Sequence, residues 1–216
     1  MANEKFSISE ALTYGWTTFR SQIGFFIGFI LALAVVTVVP DLIVDRLFER
    51  GGALYVIFKI IIRVIGLLLG MVATRVSLDI FDTGRADLSR LKELLPLLPS
   101  YFVGKLLYGI AVLVGLILLI IPGFIFAYMF LYVGYLIVDR RLGPIEALQE
   151  SRVITNGVKI DLFLFSLIVG VINILGAVCF LVGLLVTIPL TLMASAYVYR
   201  RLAPRAAATV TNPTVV

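Results

Sequence analysis

Histidine is absent from this chain, cysteine occurs once, and only 14% of its 216 residues are charged. Each shortage removes a class of function. With no histidine and Cys179 alone, the usual His/Cys zinc sites cannot be assembled and no intrachain disulfide can form. The side chain most often used as a general base is missing. A Gly-x-Ser-x-Gly elbow, a phosphate-cradling glycine loop and an acidic metal cluster within the apolar stretches are missing too. The composition therefore points away from an enzyme and from any cofactor or metal. The charge content falls well below the roughly 25% of a soluble domain. That shortfall is expected where charge would have to enter hydrocarbon. The net charge of +5 is read as a topology and headgroup signal rather than as a nucleic-acid footprint.

Apolar length is what the chain has in abundance: 61% of its residues are hydrophobic. A bilayer core about 30 Å thick takes roughly 20 apolar residues at 1.5 Å rise each. On that scale the sequence predicts six spans, at about 23–39, 54–80, 101–121, 124–138, 160–181 and 184–199, within one transmembrane domain covering 1–205. The first span is expected to end at Pro40. Read as one helix, 101–138 would run about 57 Å, so a hairpin turning at Pro122-Gly123 is expected instead. A second turn is expected near Gly183. The segment 206–216, small and polar with Pro213, is expected to be a disordered tail. The first 20 residues carry Glu4, Lys5, Glu10 and Arg20 and lack the apolar core of a signal peptide. The first span is then expected to serve as its own insertion signal.

Six spans sort the cations. Lys5, Arg20, Arg75, Arg85, Arg90, Lys92, Lys105, Arg140, Arg141, Arg152, Lys159, Arg200, Arg201 and Arg205 fall on one side. Only Arg46, Arg50, Lys59 and Arg63 fall on or near the other. The positive-inside rule then places both termini in the cytoplasm of a cell (plasma or inner) membrane.

A short amphipathic segment precedes the first, third and fifth spans. Ser7 and Glu10 form a capping-box signature, with Ile8, Leu12, Trp16 and Phe19 on one face. Asp87 caps a segment carrying Leu88, Leu91 and Leu95, closed by Pro96 and Pro99. Pro144 opens a third, with Ala147, Leu148, Ser151 and Ile154 as its stripe. Each is expected to lie in the cytoplasmic interface. Glu10-Ala11-Leu12 and Glu146-Ala147-Leu148 match. The predicted fold is thus an all-α, integral-membrane six-helix bundle built from three repeats of interfacial helix plus transmembrane hairpin.

One further signal lies in Ile121-Pro122-Gly123, Leu136 to Arg140, and Gly143 to Leu148 with Ser151, Thr155 and Asn156-Gly157. With Glu10-Ala11-Leu12, Gly15-Trp16 and Phe19, these residues resemble the membrane domain of glycerophosphoryl diester phosphodiesterases and related six-span bacterial membrane proteins. The resemblance implies six spans in a bacterial or archaeal cell membrane. It implies no catalysis, because the phosphodiesterase activity of that family belongs to a separate soluble domain.

The candidate site residues follow from polar groups in apolar surroundings. Lys59 and Arg63, four apart on one helix face, form either a cationic site for a lipid phosphate or an anionic substrate, or a pair snorkelling to the outer interface. Arg140 and Arg141 are further candidates for lipid or anion binding, against the reading of an ordinary basic flank. Asp139 is expected to bond the next helix or an arginine of another repeat. Arg75 and Asp79 are spaced to pair. Asn173 and Thr187 are expected to make interhelical hydrogen bonds. Pro189 is expected to kink the last span and free a carbonyl that Thr187 or a neighbour satisfies. Gly66 with Gly70, and Gly170 with Gly176, suit close helix packing. The function these features suggest is a non-enzymatic, lipid-interacting or membrane-organising scaffold. A small-solute or lipid transporter or channel is the alternative. The partners are membrane lipids, with a membrane-protein partner or a second copy of the chain also considered, and no nucleic acid.

Overall fold

The computed structural model describes residues 6–179 and 182–203. The expected tail at 206–216 lies outside them. Every regular element among the described residues is helical. In chain order they are α1 (Ile8–Ser21), α2 (Ile23–Leu47), α3 (Ala53–Thr83), a 3-10 helix (Leu88–Leu97), α4 (Leu98–Leu118), α5 (Ile120–Met129), α6 (Val133–Arg140), α7 (Pro144–Ile154), α8 (Lys159–Val178) and α9 (Leu184–Leu202). Five helical stretches are long and apolar enough to cross a membrane: Ile23–Leu47, Ala53–Thr83, Leu91–Leu118, Ile121–Arg140 and Lys159–Val178. The sixth expected span, 184–199, lies in α9, which is not among the five. Its sequence explains why: Thr187, Thr191, Ser195, Tyr197, Tyr199, Arg200 and Arg201 dilute it. Much of α9 is instead buried by other helices, Met193, Ala194, Ala196, Val198, Tyr199 and Leu202 among its buried residues.

A short helix precedes each of three helical hairpins. For α1, Ser7 accepts a hydrogen bond from the Glu10 amide at 3.3 Å, one half of a capping box. The Glu10 carboxylate goes elsewhere, accepting from the Tyr197 hydroxyl at 2.7 Å. The buried stripe of α1 is Ala11, Gly15 and Phe19, while Trp16 is 42% exposed. Of the expected face, Ile8 and Leu12 pack against the core and Phe19 is buried, and Trp16 alone turns outward. Small residues win because α9 comes so close: a Cβ on Gly15 would stand 2.4 Å from the Leu190 carbonyl oxygen. The second short helix is 3-10 rather than α, which changes its stripe. With three residues per turn, Leu91, Leu94 and Leu97 turn inward and Leu95 is exposed. Pro96 lies inside it, and Pro99 sits in the first turn of α4. Pro144 opens α7, where the Gly143 amide donates to Glu146 at 3.1 Å.

The hairpins depart from the expected turns in instructive ways. Pro40 does not stop the first span; it lies inside α2, which continues to Leu47. The extra turns carry Asp41 and Asp45 to Lys59 of α3, at 2.8 Å each. That tertiary pairing offsets the amide hydrogen bond that proline cannot make. The second hairpin turns at Leu119, which is extended (φ −167°, ψ 154°), rather than at Pro122-Gly123. Those two residues sit in the first turns of α5, where Gly123 packs against Gly115 of α4. In the third hairpin Gly176 meets Gly183 and Thr187. Gly66 and Gly170, expected at close contacts, face open space, and Gly70 makes only an ordinary contact with Tyr101.

The returning strand of the second hairpin is not one helix. It breaks at Phe130, Leu131 and Tyr132 before resuming as α6. The freed backbone groups find partners on α7. The Met129 carbonyl accepts from Ser151 at 2.9 Å and from Thr155 at 3.1 Å, and the Tyr132 amide donates to Ser151 at 3.3 Å.

Burial is segregated along the chain. The core gathers Met71 to Ile80 of α3, Tyr132 to Val138, Ala147 to Val158, and Met193 to Ala203. The exposed large apolar residues fall mainly on α2, on Leu54 to Val64 of α3, and on α4, α5 and α8. So broad an apolar surface is a liability in water and the normal outer face of a helix in lipid.

Candidate functional site

Two polar centres stand out, and they join different helices. The first closes one end of the structure. Arg200 on α9 donates to Asp139 on α6 from both Nη1 (2.7 Å) and Nη2 (2.9 Å), and Nη2 also reaches Asp82 on α3. The Tyr199 hydroxyl donates to the same Asp139 carboxylate at 2.8 Å. A guanidinium fork meeting a carboxylate through two hydrogen bonds is stronger and more directional than a single contact. Beside them Arg140 bridges Glu150 on α7 at 2.7 Å and the Ala203 carbonyl at 2.6 Å. Arg141 meets Glu93 of the 3-10 helix. It occupies a left-handed conformation (φ 56°) that lets the chain turn from α6 into α7. Arg201 lies 3.9 Å from Glu10 of α1. Tyr14 of α1 packs on Phe81 and Tyr197. Burial is the main cause pushing its phenol pKa above the ordinary value, against a hydrogen bond from Thr18 that lowers it. All three hairpins and all three short helices contribute to this one polar layer.

The second centre lies in the α2–α3 hairpin. Lys59 sits between Asp41 and Asp45, 2.8 Å from each, and the Tyr55 hydroxyl donates to Asp45 at 3.1 Å. One turn further along α3, Arg63 is exposed and has no hydrogen-bond or ion-pair partner among the described residues. It lines a groove of about 480 Å³ together with Thr37, Asp41, Ile62 and Gly66.

The sequence candidates are thus distributed unevenly. Lys59, Arg140 and Arg141 meet carboxylates of the chain itself, and Arg63 does not. Asp139 meets Arg200. Asn173 donates to the Val169 carbonyl at 3.0 Å and to Thr191 at 3.3 Å, which ties α8 to α9. Thr187 packs its side chain on Gly176, and its hydroxyl is buried without a partner among the described residues, so it does not serve the carbonyl freed by Pro189. Arg75 pairs with Asp79 at 3.0 Å.

Sequence reasoning overlooked Asp41, Asp45, Asp82, Arg200, Ser151 and Thr155 as partners. Asp41 and Asp45 had a visible signal: two acids four apart, just beyond an apolar run and facing a lysine across a short turn. Lys105, a loop cation by sequence, lies inside α4 with its ammonium 5.6 and 5.8 Å from the rings of Tyr101 and Tyr108. It has no carboxylate partner among the described residues, so cation–π contact stands in for an ion pair.

The break at 130–132 offers a direct test. Ser151→Ala removes a donor to the Met129 carbonyl and the acceptor of the Tyr132 amide. Leaving a buried amide unsatisfied costs about 1–3 kcal/mol. The expected result is a loss of about 2 kcal/mol in detergent-solubilised unfolding, with Ser151→Thr retaining most of it. The chain matches no family model, no curated protein and no solved structure.

Proposed function

We propose that this is a non-enzymatic, lipid-interacting membrane scaffold that crosses a cell membrane six times, with α9 as the sixth span. In this reading three units of short helix plus hairpin lie side by side, and the polar layer around Arg200 and Asp139 faces the cytoplasm with both termini. One observation carries the proposal. The chain spends its charge on joining its own helices: Arg200 links α9 to α6 and α3, and Lys59 links α3 to α2. Side chains used in this way hold a shape. The broad apolar outer face of α2, α4, α5 and α8 supplies the lipid contact. Resemblance to the phosphodiesterase membrane domains supports the same arrangement and adds no chemistry.

A second reading, a transporter of small solutes or lipids, draws on the interrupted helix at 130–132, since broken helices form many transport sites. Liposome flux separates the two. The scaffold reading expects no solute or lipid movement above empty vesicles, and robust flux would overturn it.

Topology is tested independently. In a Cys179→Ser background, Ser89→Cys and Gln149→Cys should react with an impermeant maleimide only from the cytoplasmic side, and Glu49→Cys only from outside. Labelling of 89 and 149 from opposite faces would remove the six-span arrangement.

A further inference from the structure

The groove between α2 and α3 has a charge pattern that a purely cationic site would not have. Asp41 and Asp45 bring two negative charges and Lys59 and Arg63 two positive ones, and Arg50 acts on Asp45 from beyond the groove. Its charges are not evenly matched. Both carboxylates converge on Lys59, and Arg63 has no partner among the described residues. An unpaired guanidinium calls for an oxyanion, and phosphate suits its fork geometry. At the other side of the same groove, Asp41 binds Lys59 through Oδ1. A carboxylate offers about four lone-pair sites, so Asp41 can still accept from a second ammonium. Arg63 stands one turn from Lys59, about 5–6 Å between Cβ atoms, and Lys59 touches Asp41. The free cation and the acid with spare acceptor sites are therefore about one helical turn apart.

We infer that this groove binds the headgroup of a zwitterionic phospholipid bearing a primary ammonium, a phosphoethanolamine, with its phosphate on Arg63 and its ammonium on Asp41. The inference rests on the lipid-interacting reading above and names the ligand class of one site within it. The groove volume of about 480 Å³ falls within the roughly 300–1,000 Å³ of small-molecule sites. Its walls fit the two halves of a lipid: Thr37, Asp41 and Arg63 are polar, while Val38, Leu42, Ile62 and Leu67 are apolar. Two competing headgroups are disfavoured by the same residues. An anionic headgroup without an ammonium satisfies Arg63 but leaves Asp41, which lines the same groove, with no cation of the ligand to accept from and with a like charge beside it. A choline headgroup keeps the balance but has no N–H to donate to Asp41. Lys59 is the organising residue: by holding both acids it fixes where the second ammonium must lie.

The test uses the full purified chain in detergent micelles doped with equal amounts of phosphatidylethanolamine, phosphatidylcholine and phosphatidylglycerol, with retained lipid read by native mass spectrometry. The expected result is retention of the ethanolamine lipid over each of the other two by about tenfold, the ratio a charge-assisted hydrogen bond supplies. Arg63→Gln should abolish that preference, and Arg63→Lys should retain part of it. Arg63 has no partner among the described residues to lose, so the melting temperature of both variants should match the parent and exclude misfolding. Asp41→Asn should leave phosphate binding in place and erase discrimination between ethanolamine and choline. Equal retention of all three headgroups, or a preference unchanged by Arg63→Gln, overturns the inference while leaving a lipid-binding scaffold standing. Solute flux in liposomes overturns the scaffold reading instead, so the two failures are distinguishable.

Discussion

Asp139→Ala should destabilise the fold by about 3 kcal/mol. The carboxylate accepts from Arg200 twice and from the Tyr199 hydroxyl once. Its side chain is 13% exposed and that of Arg200 21%, so water can reach the broken pair only in part. Removing one member of a buried ion pair costs about 3–5 kcal/mol, because the other member stays desolvated. The lower end applies here, since Asp82 still binds Arg200. Arg200 is already under strain of another kind: its Nε is buried without a partner among the described residues. Asp139→Asn keeps an acceptor and should lose about half as much. The double change Asp139→Leu with Arg200→Met removes both charges, and replacing a pair by apolar groups is often close to neutral. It should recover most of the loss, and a double-mutant cycle on detergent unfolding midpoints would report the coupling. Full additivity of the two single changes would mean that the pair does not join α6 to α9.

The same residues show what the sequence could and could not reveal. Helix positions were legible because apolar runs of membrane-spanning length leave few alternatives. A chain reversal between Tyr101 and Val138 was legible from span length against bilayer thickness. Local breaks were not. Pro40 looks like a stop and is not one, because Asp41 and Asp45 gain Lys59 by continuing the helix. Phe130-Leu131-Tyr132 contains neither proline nor glycine, yet the helix breaks there. The cause lies about 20 residues away, in the hydroxyls of Ser151 and Thr155. The amphipathic stripe of the second short helix was misread because its period is three. At the sites, Lys59 and Arg63 were visible as an i, i+4 pair, but their difference was not. The distinction between them is made by α2, and pairing across a turn depends on register that composition alone does not encode.

Hairpin register can be tested where two backbones touch, and the expected effect is large. A Cβ on Gly115 would lie 2.8 Å from the Cα of Gly123 and 2.9 Å from its amide nitrogen. A Cβ on Gly183 would lie 2.5 Å from the Gly176 carbonyl oxygen and 2.7 Å from its Cα. These are backbone atoms, so no rotamer change relieves the clash. Overpacking costs about 1–3 kcal/mol where side chains can shift, and here the helices themselves must part. Gly115→Val and Gly183→Val should each therefore cost about 3 kcal/mol or more. Gly66→Ala and Gly170→Ala supply the opposite sign. Both glycines face open space inside helices, and alanine is favoured over glycine there by about 0.5–1 kcal/mol. Unfolding midpoints of the four variants, measured in one detergent, should split into two strongly lowered and two raised. If Gly115→Val behaved like Gly66→Ala, α4 and α5 would not meet at Gly115 and Gly123, and the chain would not reverse at Leu119. A single broken helix through 101–138 would then replace the second hairpin, changing the number of crossings and the side on which every later cation lies.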